Sequence, residues 1–251
     1  MKKIIALGGG EIGRPGFPVE TTKIDREIIK LTGKRKPKLL FLPTASSDSE
    51  LYVNVVKKHF GKRLGCAVDV LFLLKKRYRK IEIENKILES DIVYVGGGNT
   101  LKMMNTWRKL GVDKLLKKAA RKGIVLSGVS AGAICWFSFG TSDARKFSHK
   151  KAPMIRVRGL GLVEALFCPH YHFEKERKRA LRRIMKSTSG VGIALENCSA
   201  IEILDNSYRI ITSRKDANAY KVFWRQGKYW EKKIAKRKDL IPLRGLLTKE
   251  R

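Results

Sequence analysis

Short apolar runs alternate with amphipathic stretches along the first half of the chain. Apolar runs of four to eight residues between turn formers are typical of buried strands, and apolar positions three or four apart are typical of helices that cover a sheet. The pattern predicts strands over 4–7, 38–42, 67–73, 91–95 and 124–127, separated by helices over 24–31, 49–64, 81–90, 101–109 and 112–121. Strands that alternate with helices form parallel βαβ units, so the sequence predicts an α/β fold.

The pattern changes after residue 137. Turn-like and basic segments over 140–158 lead into a run at 159–167 that is typical of a loop entering a strand, and a charged helix is predicted over 174–187. Five short strand-like runs follow, over 191–195, 200–204, 208–212, 221–225 and 228–230. Short strands separated by turns predict a mixed or antiparallel edge of the sheet.

No internal repeat and no long linker interrupts the chain. Residues 1–231 are therefore predicted to form a single domain, and residues 232–251 are predicted to form a basic, partly disordered C-terminal tail. The four cysteines lie far apart in mostly apolar runs, which is typical of a reduced cytoplasmic protein and not of a disulfide framework. The apolar run at the amino terminus is too short for a membrane span, so no membrane partner is predicted.

The charge of the chain is its unusual feature of composition. Lysine and arginine number 55 against 23 acidic residues, a formal net charge of +32. An excess of this size suggests nucleic-acid binding, because phosphate neutralisation needs clustered basic side chains. Here the basic residues are spread over nearly every predicted surface segment, and aromatic residues are not interleaved with them as base stacking requires. No specific nucleic-acid partner is therefore predicted.

A sharp turn between a strand and a helix carries the candidate chemistry. Residues 128–132 read Gly-Val-Ser-Ala-Gly, after the strand at 124–127 and before an apolar stretch compatible with a helix. This is the pattern of a nucleophile elbow, in which the serine lies at the tip of a strained turn whose flanking positions have no room for side chains. The turn also directs the first amide groups of the following helix at the group that the serine attacks. Ser130 is therefore the predicted nucleophile.

Two glycine-rich loops follow predicted strands. The loop at 96–98 lacks the Lys-Ser/Thr ending of a phosphate loop, and a bare backbone amide there could reach the reacting carbonyl from a neighbouring strand. Gly98 is thus a candidate second oxyanion donor, with a simple tight turn as the alternative. The glycines within 8–13 have the spacing of a dinucleotide fingerprint, but Pro15 prevents the helix that such a fingerprint opens. No cofactor is predicted.

A serine hydroxyl needs a general base within hydrogen-bond reach. His170 and His172 follow a predicted strand end, where a parallel sheet places its site, and the other two histidines lie in predicted surface segments. Their spacing places them on opposite sides of an extended chain, so only one faces Ser130; His170 is preferred and His172 is the alternative. The pair could bind zinc, but only Cys168 and Glu174 lie nearby as further ligands, so no metal site is predicted.

The base in turn needs a group that orients it. Asp143 lies in a polar loop 13 residues after Ser130 and completes the chain order Ser, Asp, His that one class of triads uses. Glu196, at the end of the predicted strand 191–195, is the alternative acid.

Three motifs occur together in one order: Gly-Gly-Gly-Asn-Thr at 96–100, the elbow at 128–133, and Pro-His at 169–170. In combination they resemble the peptidase E family, serine peptidases (aspartyl dipeptidases) whose relatives include the cyanophycinases. The similarity covers about residues 4–204. It implies a three-layer sandwich around a mostly parallel, flavodoxin-like sheet of the class I glutamine amidotransferase type, with a short antiparallel C-terminal edge. By the same resemblance, Ser130 is the nucleophile, His170 is the base, and Gly98 and Ala131 donate to the oxyanion.

The resemblance also implies a substrate class. Its best-studied branch removes an amino-terminal aspartate from dipeptides, so the chain is expected to be a dipeptidase that hydrolyses short peptides through an acyl-enzyme. Glu196 could pair with the peptide's amine, and Arg156 or Arg177 with an aspartate side chain. Asn99 is a further candidate for substrate binding. The segment after the elbow, Gly-Thr-Ser-Asp-Ala at 140–144, differs in length from that branch and leaves aspartate specificity open.

Two other functions stay open from the sequence. The chain could be an isoaspartyl or cyanophycinase-like peptidase, or it could be a catalytically inactive, basic binding module on the same fold. A glutamine amidotransferase is disfavoured, because that chemistry uses cysteine where this chain has Ser130, and Cys135 is placed too far along the helix. The expected partner is a short peptide, and the oligomeric state is left open, with a homodimer among the alternatives.

Overall fold

The structure is a computed structural model that describes residues 1–172 and 175–249. Its strands, in chain order, are β1 Lys3–Leu7, β2 Lys38–Leu42, β3 Ala67–Val70, β4 Ile92–Val95, β5 Val125–Val129, β6 Phe137–Ser142, β7 Ile155–Arg158, β8 Val163–Cys168, β9 Gly192–Leu195, β10 Ser199–Leu204, β11 Ser207–Thr212, β12 Ala219–Arg225, β13 Lys228–Lys233 and β14 Ile241–Pro242. Its helices are α1 Thr22–Lys30, α2 Glu50–Val56, α3 Lys80–Leu88, α4 Thr100–Leu110, α5 Val112–Arg121, α6 Ala131–Ile134, α7 Lys175–Lys186 and α8 Leu243–Leu247.

The larger sheet has the strand order β14-β11-β10-β1-β5-β4-β2-β3. The strands β1, β5, β4, β2 and β3 run parallel to one another, whereas β10, β11 and β14 continue the sheet in antiparallel fashion beyond β1. The carboxyl ends of the parallel strands therefore meet at one edge, which is where α/β proteins place their sites.

Alternation along each parallel strand divides the core between the two faces of this sheet. On β2, Leu40 and Leu42 pack with the buried side chains of α3, α4 and α5, and Leu39 and Phe41 pack with those of α1 and α2. Helices thus cover both faces of the sheet, as buried parallel strands require. The predicted fold class is confirmed: an α/β protein with a mostly parallel sheet and an antiparallel C-terminal edge.

A second sheet of six strands is the main difference from the prediction. Its order is β13-β12-β9-β8-β6-β7, with β6, β8 and β9 parallel. The segment 140–158, which the sequence predicted as turns and loop, contributes β6 and β7. Gly140, Thr141 and Ser142 are residue types that favour turns, yet they are buried in β6, which pairs with β7 on one side and with β8 on the other.

Two helical predictions also change. The helix predicted over 49–64 divides into α2 and a π-helical turn, Lys57–Arg63. The helix after the elbow, α6, has only four residues before the chain enters β6. The apolar side chains that follow the elbow are therefore buried by packing between sheets and not along one long helix.

The segment predicted as a partly disordered basic tail is ordered as far as residue 249. The strand β14 pairs with β11, and Ile234, Leu243 and Leu246 are buried in the same core as one face of the large sheet. The lysines and arginines between these positions are mostly exposed, and their number obscures the few apolar positions in the sequence.

Among the helices in the described ranges, none is long and apolar enough to cross a membrane.

Candidate active site

The nucleophile elbow lies where β5 ends and α6 begins. Ser130 has φ 55° and ψ −111°, a conformation that residues with a side chain rarely adopt and that costs on the order of 1–3 kcal/mol. Backbone hydrogen bonds hold it there: the Ser130 amide donates to the Leu7 carbonyl oxygen at 3.1 Å, and the Ser130 carbonyl oxygen accepts from the Ala133 and Ile134 amides at 3.0 Å. The strain presents Oγ at the carboxyl edge of the sheet.

Both elbow glycines are required by close packing. A Cβ at Gly132 would lie 2.1 Å from the Val95 carbonyl oxygen, and a Cβ at Gly128 would lie 2.5 Å from the Gly132 carbonyl oxygen. These distances are far below van der Waals contact, so neither position can hold a larger residue without moving the backbone of β4 or α6. The tight turn that exposes Ser130 therefore depends on both glycines.

His170 is the residue that the structure brings to Ser130. It follows β8, its backbone has φ 53°, and its amide donates to the Gly8 carbonyl oxygen at 3.0 Å. Its Nε2 lies 2.9 Å from Ser130 Oγ. With Nε2 unprotonated, the ring accepts the hydroxyl proton, which is the geometry that a general base needs.

The partner of His170 on its other nitrogen is Asn197, which the sequence reasoning missed. Asn197 Oδ1 lies 2.6 Å from His170 Nδ1 and accepts a hydrogen bond from the Nδ1–H group. Nε2 is then the ring nitrogen that accepts the hydrogen bond of the Ser130 hydroxyl. Asn197 follows β9, two residues beyond the strand end. The arrangement is Ser-His-Asn, in which an amide occupies the position of the triad acid, as it does in papain-like proteases with cysteine as nucleophile.

The two predicted acids have other partners. Asp143 accepts from Arg177 Nη2 at 3.5 Å, and the Arg177 side chain is only 3% exposed, so this carboxylate partly neutralises a nearly buried cation. Glu196 lies beside Asn197 in sequence, but its carboxylate turns toward β12. The sequence predicted that Asp143 or Glu196 contacts His170 Nδ1, whereas in the structure Asn197 does.

Glu196 is the centre of a second polar cluster. Its Oε1 lies 2.5 Å from His172 Nδ1 and accepts a hydrogen bond from the Tyr220 hydroxyl at 3.1 Å, and its Oε2 accepts from the Asn218 backbone amide at 2.8 Å. Burial, and after it the hydrogen bond to Glu196, raises the pKa of Tyr220 to about 12, so the phenol stays a neutral donor. His172, the alternative base, thus pairs with Glu196 while His170 pairs with Ser130.

The loop at 96–98 lies beside the nucleophile. A Cβ at Gly97 would lie 3.6 Å from the Ser130 Cβ, and a Cβ at Gly98, where φ is +135°, would lie 2.3 Å from the Ala45 carbonyl oxygen. The Gly98 and Ala131 amides have no hydrogen-bond acceptor within the described part of the chain. An oxyanion site requires unengaged amides, and these two belong to the residue after Ser130 and to the loop that contacts it.

Two residues predicted to bind substrate have structural contacts instead. Asn99 caps α4: its Oδ1 accepts from the Lys102 amide at 3.0 Å, and its Nδ2 donates to the Ala144 carbonyl oxygen at 3.2 Å. Arg156 donates to the Ser187 carbonyl oxygen at 2.9 Å and stacks over the Phe139 ring with its guanidinium carbon 4.7 Å from the centroid. In the structure both side chains hold neighbouring segments together, and a role of either in substrate binding stays a prediction.

The triple glycine after β1 explains how histidine and asparagine come together. A Cβ at Gly9 would lie 2.1 Å from Asn197 Oδ1 and 2.4 Å from His170 Nδ1. The Cys198 amide also donates to the Gly9 carbonyl oxygen at 2.9 Å, which ties the loop after β9 to β1. The glycines at 8–10 were the sequence signal for this contact. Across the described ranges, no group of three or more His, Cys, Asp or Glu side chains is arranged to hold a metal ion.

Comparison with known proteins identifies the family of the chain. The model of Peptidase family S51 matches residues 4–211. The chain belongs to this family. It is 34% identical over 226 residues to the uncharacterized peptidase YgaJ of Bacillus subtilis (strain 168), covering 88% of this chain and 92% of that protein. It is 23% identical over 195 residues to a protein named Peptidase E from Streptomyces coelicolor (strain ATCC BAA-471 / A3(2) / M145), covering 73% and 74% of the two chains.

Solved structures share the fold. A peptidase from an acI-B1 Actinobacterium superposes with a TM-score of 0.72 at 18% identity, covering 96% of this chain and 97% of that one. A putative Peptidase E protein from Listeria monocytogenes EGD-e superposes with a TM-score of 0.63 at 23% identity, covering 84% and 98%. The resemblance predicted from the sequence motifs is confirmed, and the chain is a member of a peptidase family with the peptidase E fold.

Proposed function

We propose that this member of Peptidase family S51 is a serine-type dipeptidase that hydrolyses short peptides through an acyl-enzyme. The observation that carries the proposal is the 2.9 Å contact between Ser130 Oγ, on a strained elbow, and His170 Nε2. A serine hydroxyl is a weak nucleophile, and a base within hydrogen-bond reach activates it.

The reaction would proceed in two halves. As Ser130 Oγ attacks the peptide carbonyl carbon, its proton passes to His170 Nε2, and the carbonyl oxygen becomes an anion that the Gly98 and Ala131 amides stabilise. The C–N bond then breaks, and His170 returns the proton to the leaving amine. In the second half, water attacks the acyl-enzyme by the same route, with its proton passing through His170, and releases the acid and Ser130.

Asn197 supports this cycle by orientation. Its Oδ1 holds the proton on Nδ1, so the ring offers Nε2 to Ser130 in every turnover. An amide oxygen has no formal charge, so it stabilises the imidazolium less than a carboxylate would. In this proposal the stabilisation of the transition state depends more strongly on the oxyanion amides than it does in a Ser-His-Asp site.

An amino-terminal aspartate is the substrate feature that we propose to test first. The Arg177–Asp143 pair is the candidate for its recognition, because an incoming carboxylate would compete with Asp143 for a nearly buried guanidinium. Glu196 is the candidate for the peptide's amine, although four donor atoms, from His172, Tyr220 and Asn218, already approach its two oxygens. The cost of displacing these donors would make amine binding selective for peptides that fit closely.

A panel of dipeptides tests the proposal. The wild type and Ser130→Ala are compared on Asp-Leu, Glu-Leu, Ala-Leu and isoaspartyl-Leu, with fluorophosphonate labelling of Ser130 as a measure of nucleophilicity. Cleavage of an α-linked peptide that Ser130→Ala abolishes is expected. Exclusive cleavage of the isoaspartyl peptide would identify a β-linked specificity instead. Cleavage of no peptide, together with no labelling, would reject the catalytic assignment and favour a binding module.

A further inference from the structure

A basic cavity of about 700 Å³ lies apart from the proposed catalytic residues. Its walls come from the loop at 12–19 and from the π-helical turn Lys57–Arg63. An antiparallel bridge between Ile12 and Val19 closes the loop. A hydrogen bond from the Leu64 amide to the His59 carbonyl oxygen, at 3.0 Å, stabilises the π-helical turn. π-Helical turns are rare and occur often at functional sites.

The lining of the cavity is positively charged. Lys58, Lys62 and Arg63 from the π-helical turn and Arg14 from the loop line it, and no aspartate or glutamate does. Arg14 is already paired with Glu11 at 2.6 Å. The side chains of the other three make no hydrogen bond or ion pair within the part of the chain that the structure describes. Like charges that line a concave surface concentrate a positive potential there, which distinguishes this place from the basic residues spread over the rest of the surface.

A buried polar group adds an independent observation. His59 lines the cavity, is only 2% exposed, and has its Nε2 2.7 Å from the buried Asp25 carboxylate. Its Nδ1 is buried and has no hydrogen-bond partner among the described residues. A buried polar atom without a partner costs about 1–3 kcal/mol, and a bound ligand or ion is a common reason for one. Nδ1 can donate to an anion when the ring is protonated, or accept from a protonated phosphate.

The remaining wall suits an organic group. Phe17 is 51% exposed although it lines the cavity, and the guanidinium carbon of Arg14 lies 4.3 Å from the centroid of its ring. Pro15 and Pro18 add apolar surface. A volume of about 700 Å³ is within the range of small-molecule sites, which combine mostly apolar walls with a few polar groups.

We propose that this cavity binds a phosphorylated small molecule of about nucleotide size. Its phosphates would contact Lys58, Lys62 and Arg63, and its organic part would pack on Phe17. Lysine and arginine supply the charge-assisted donors that phosphate oxygens bind. The proposal does not depend on the peptidase reaction, because the lining includes none of the proposed catalytic residues.

Calorimetric titration of the full chain at about 0.15 M salt tests the proposal, since that salt concentration screens exposed charges. The probes are ADP, pyrophosphate and adenosine. Lys62→Glu with Arg63→Glu reverses two charges of the cavity, and Lys109→Glu with Lys114→Glu makes the same change of charge on exposed positions of α4 and α5. We expect ADP to bind the wild type and the control pair alike, and to bind the cavity pair at least about tenfold more weakly.

Phe17→Ala separates two sources of the phosphate. If the ligand has an aromatic part, this variant is expected to bind ADP about fivefold more weakly and pyrophosphate with unchanged affinity, because stacking on an exposed ring is worth about 1 kcal/mol. If the cavity pair and the control pair weaken ADP binding equally, the effect comes from the net charge of the protein alone, and the proposal is overturned. Adenosine binding as tightly as ADP, or no saturable binding of ADP and pyrophosphate, would overturn it as well.

Discussion

The hydrogen bond between Asn197 and His170 can be tested without knowledge of the substrate. Asn197→Ala removes the acceptor that holds the proton on Nδ1, at a donor-acceptor distance of 2.6 Å. Losing such a bond and leaving a partly buried N–H costs about 1–3 kcal/mol. Because about 1.4 kcal/mol corresponds to a factor of ten in rate, the variant is expected to react roughly 5- to 150-fold more slowly.

The assay is the rate of fluorophosphonate labelling of Ser130, followed from about pH 5 to pH 9 around the titration range of histidine. Asn197→Asp keeps the acceptor and adds a charge, so it should label within about tenfold of the wild type. Its acidic limb is expected at higher pH, because a carboxylate favours the protonated imidazole. Asn218→Ala is the matched control, since its amide bonds Glu196 and not the histidine.

If Asn197→Ala labels at the wild-type rate while His170→Ala abolishes labelling, then a group other than Asn197 orients the base. Circular dichroism and an unfolding curve for each variant exclude loss of fold as the cause of slow labelling.

Three further predictions concern the loop after β1, the C-terminal segment and a surface carboxylate. Gly9→Ala should slow the labelling of Ser130 by the fluorophosphonate at least about tenfold, because the new Cβ would lie 2.1 Å from Asn197 Oδ1. Gly245→Ala is the control, because no atom lies within 4 Å of its Cβ position, and equal effects of the two variants would contradict the close packing at Gly9. Leu243→Ala should lower the free energy of unfolding in urea by about 2–4 kcal/mol, because this leucine is only 5% exposed. Leu240→Ala, at a position that is 39% exposed, should lower it by less than about 1 kcal/mol, and equal effects of the two variants would support a disordered C-terminal segment instead. Burial opposes ionisation of Asp91, but hydrogen bonds from Lys34 and Lys38 outweigh it and lower the pKa of the carboxyl. Asp91→Asn should therefore destabilise the protein by about 1 kcal/mol at pH 7. The difference should begin to shrink below about pH 4, where the carboxyl becomes protonated in the unfolded chain, and should disappear once the pH falls below the lowered pKa of the folded state; a difference that persists at that acidity would reject this account.

The parallel half of the fold could be predicted because its signals are local. The strands β1, β2 and β4 are buried on both faces, so they are nearly continuous apolar runs followed by glycine or proline. The elbow at 128–132 is equally local, because the turn needs particular glycines at fixed spacing around Ser130.

The second sheet could not be predicted in the same way. In β7 the arginines at 156 and 158 are exposed and Val157 is buried, so only one short face of the strand is apolar. In β6 the buried residues include Gly140, Thr141 and Ser142, which are residue types typical of turns. Only pairing with strands far along the chain makes these segments extended.

The sequence by itself determined the parallel βαβ core and the strained serine, because each depends on residues that are neighbours in the chain. It also indicated the family, through three short motifs that are each local. It also indicated that a histidine after β8 would reach Ser130. Only the tertiary structure decided which side chain orients that histidine, because β8 and β9 are brought together by sheet pairing. Their loops then meet the glycines after β1, where Asn197 and not Asp143 or Glu196 has its oxygen at Nδ1. The elbow fixed the position of Ser130, and the packing of three separate loops determined which side chains lie beside it.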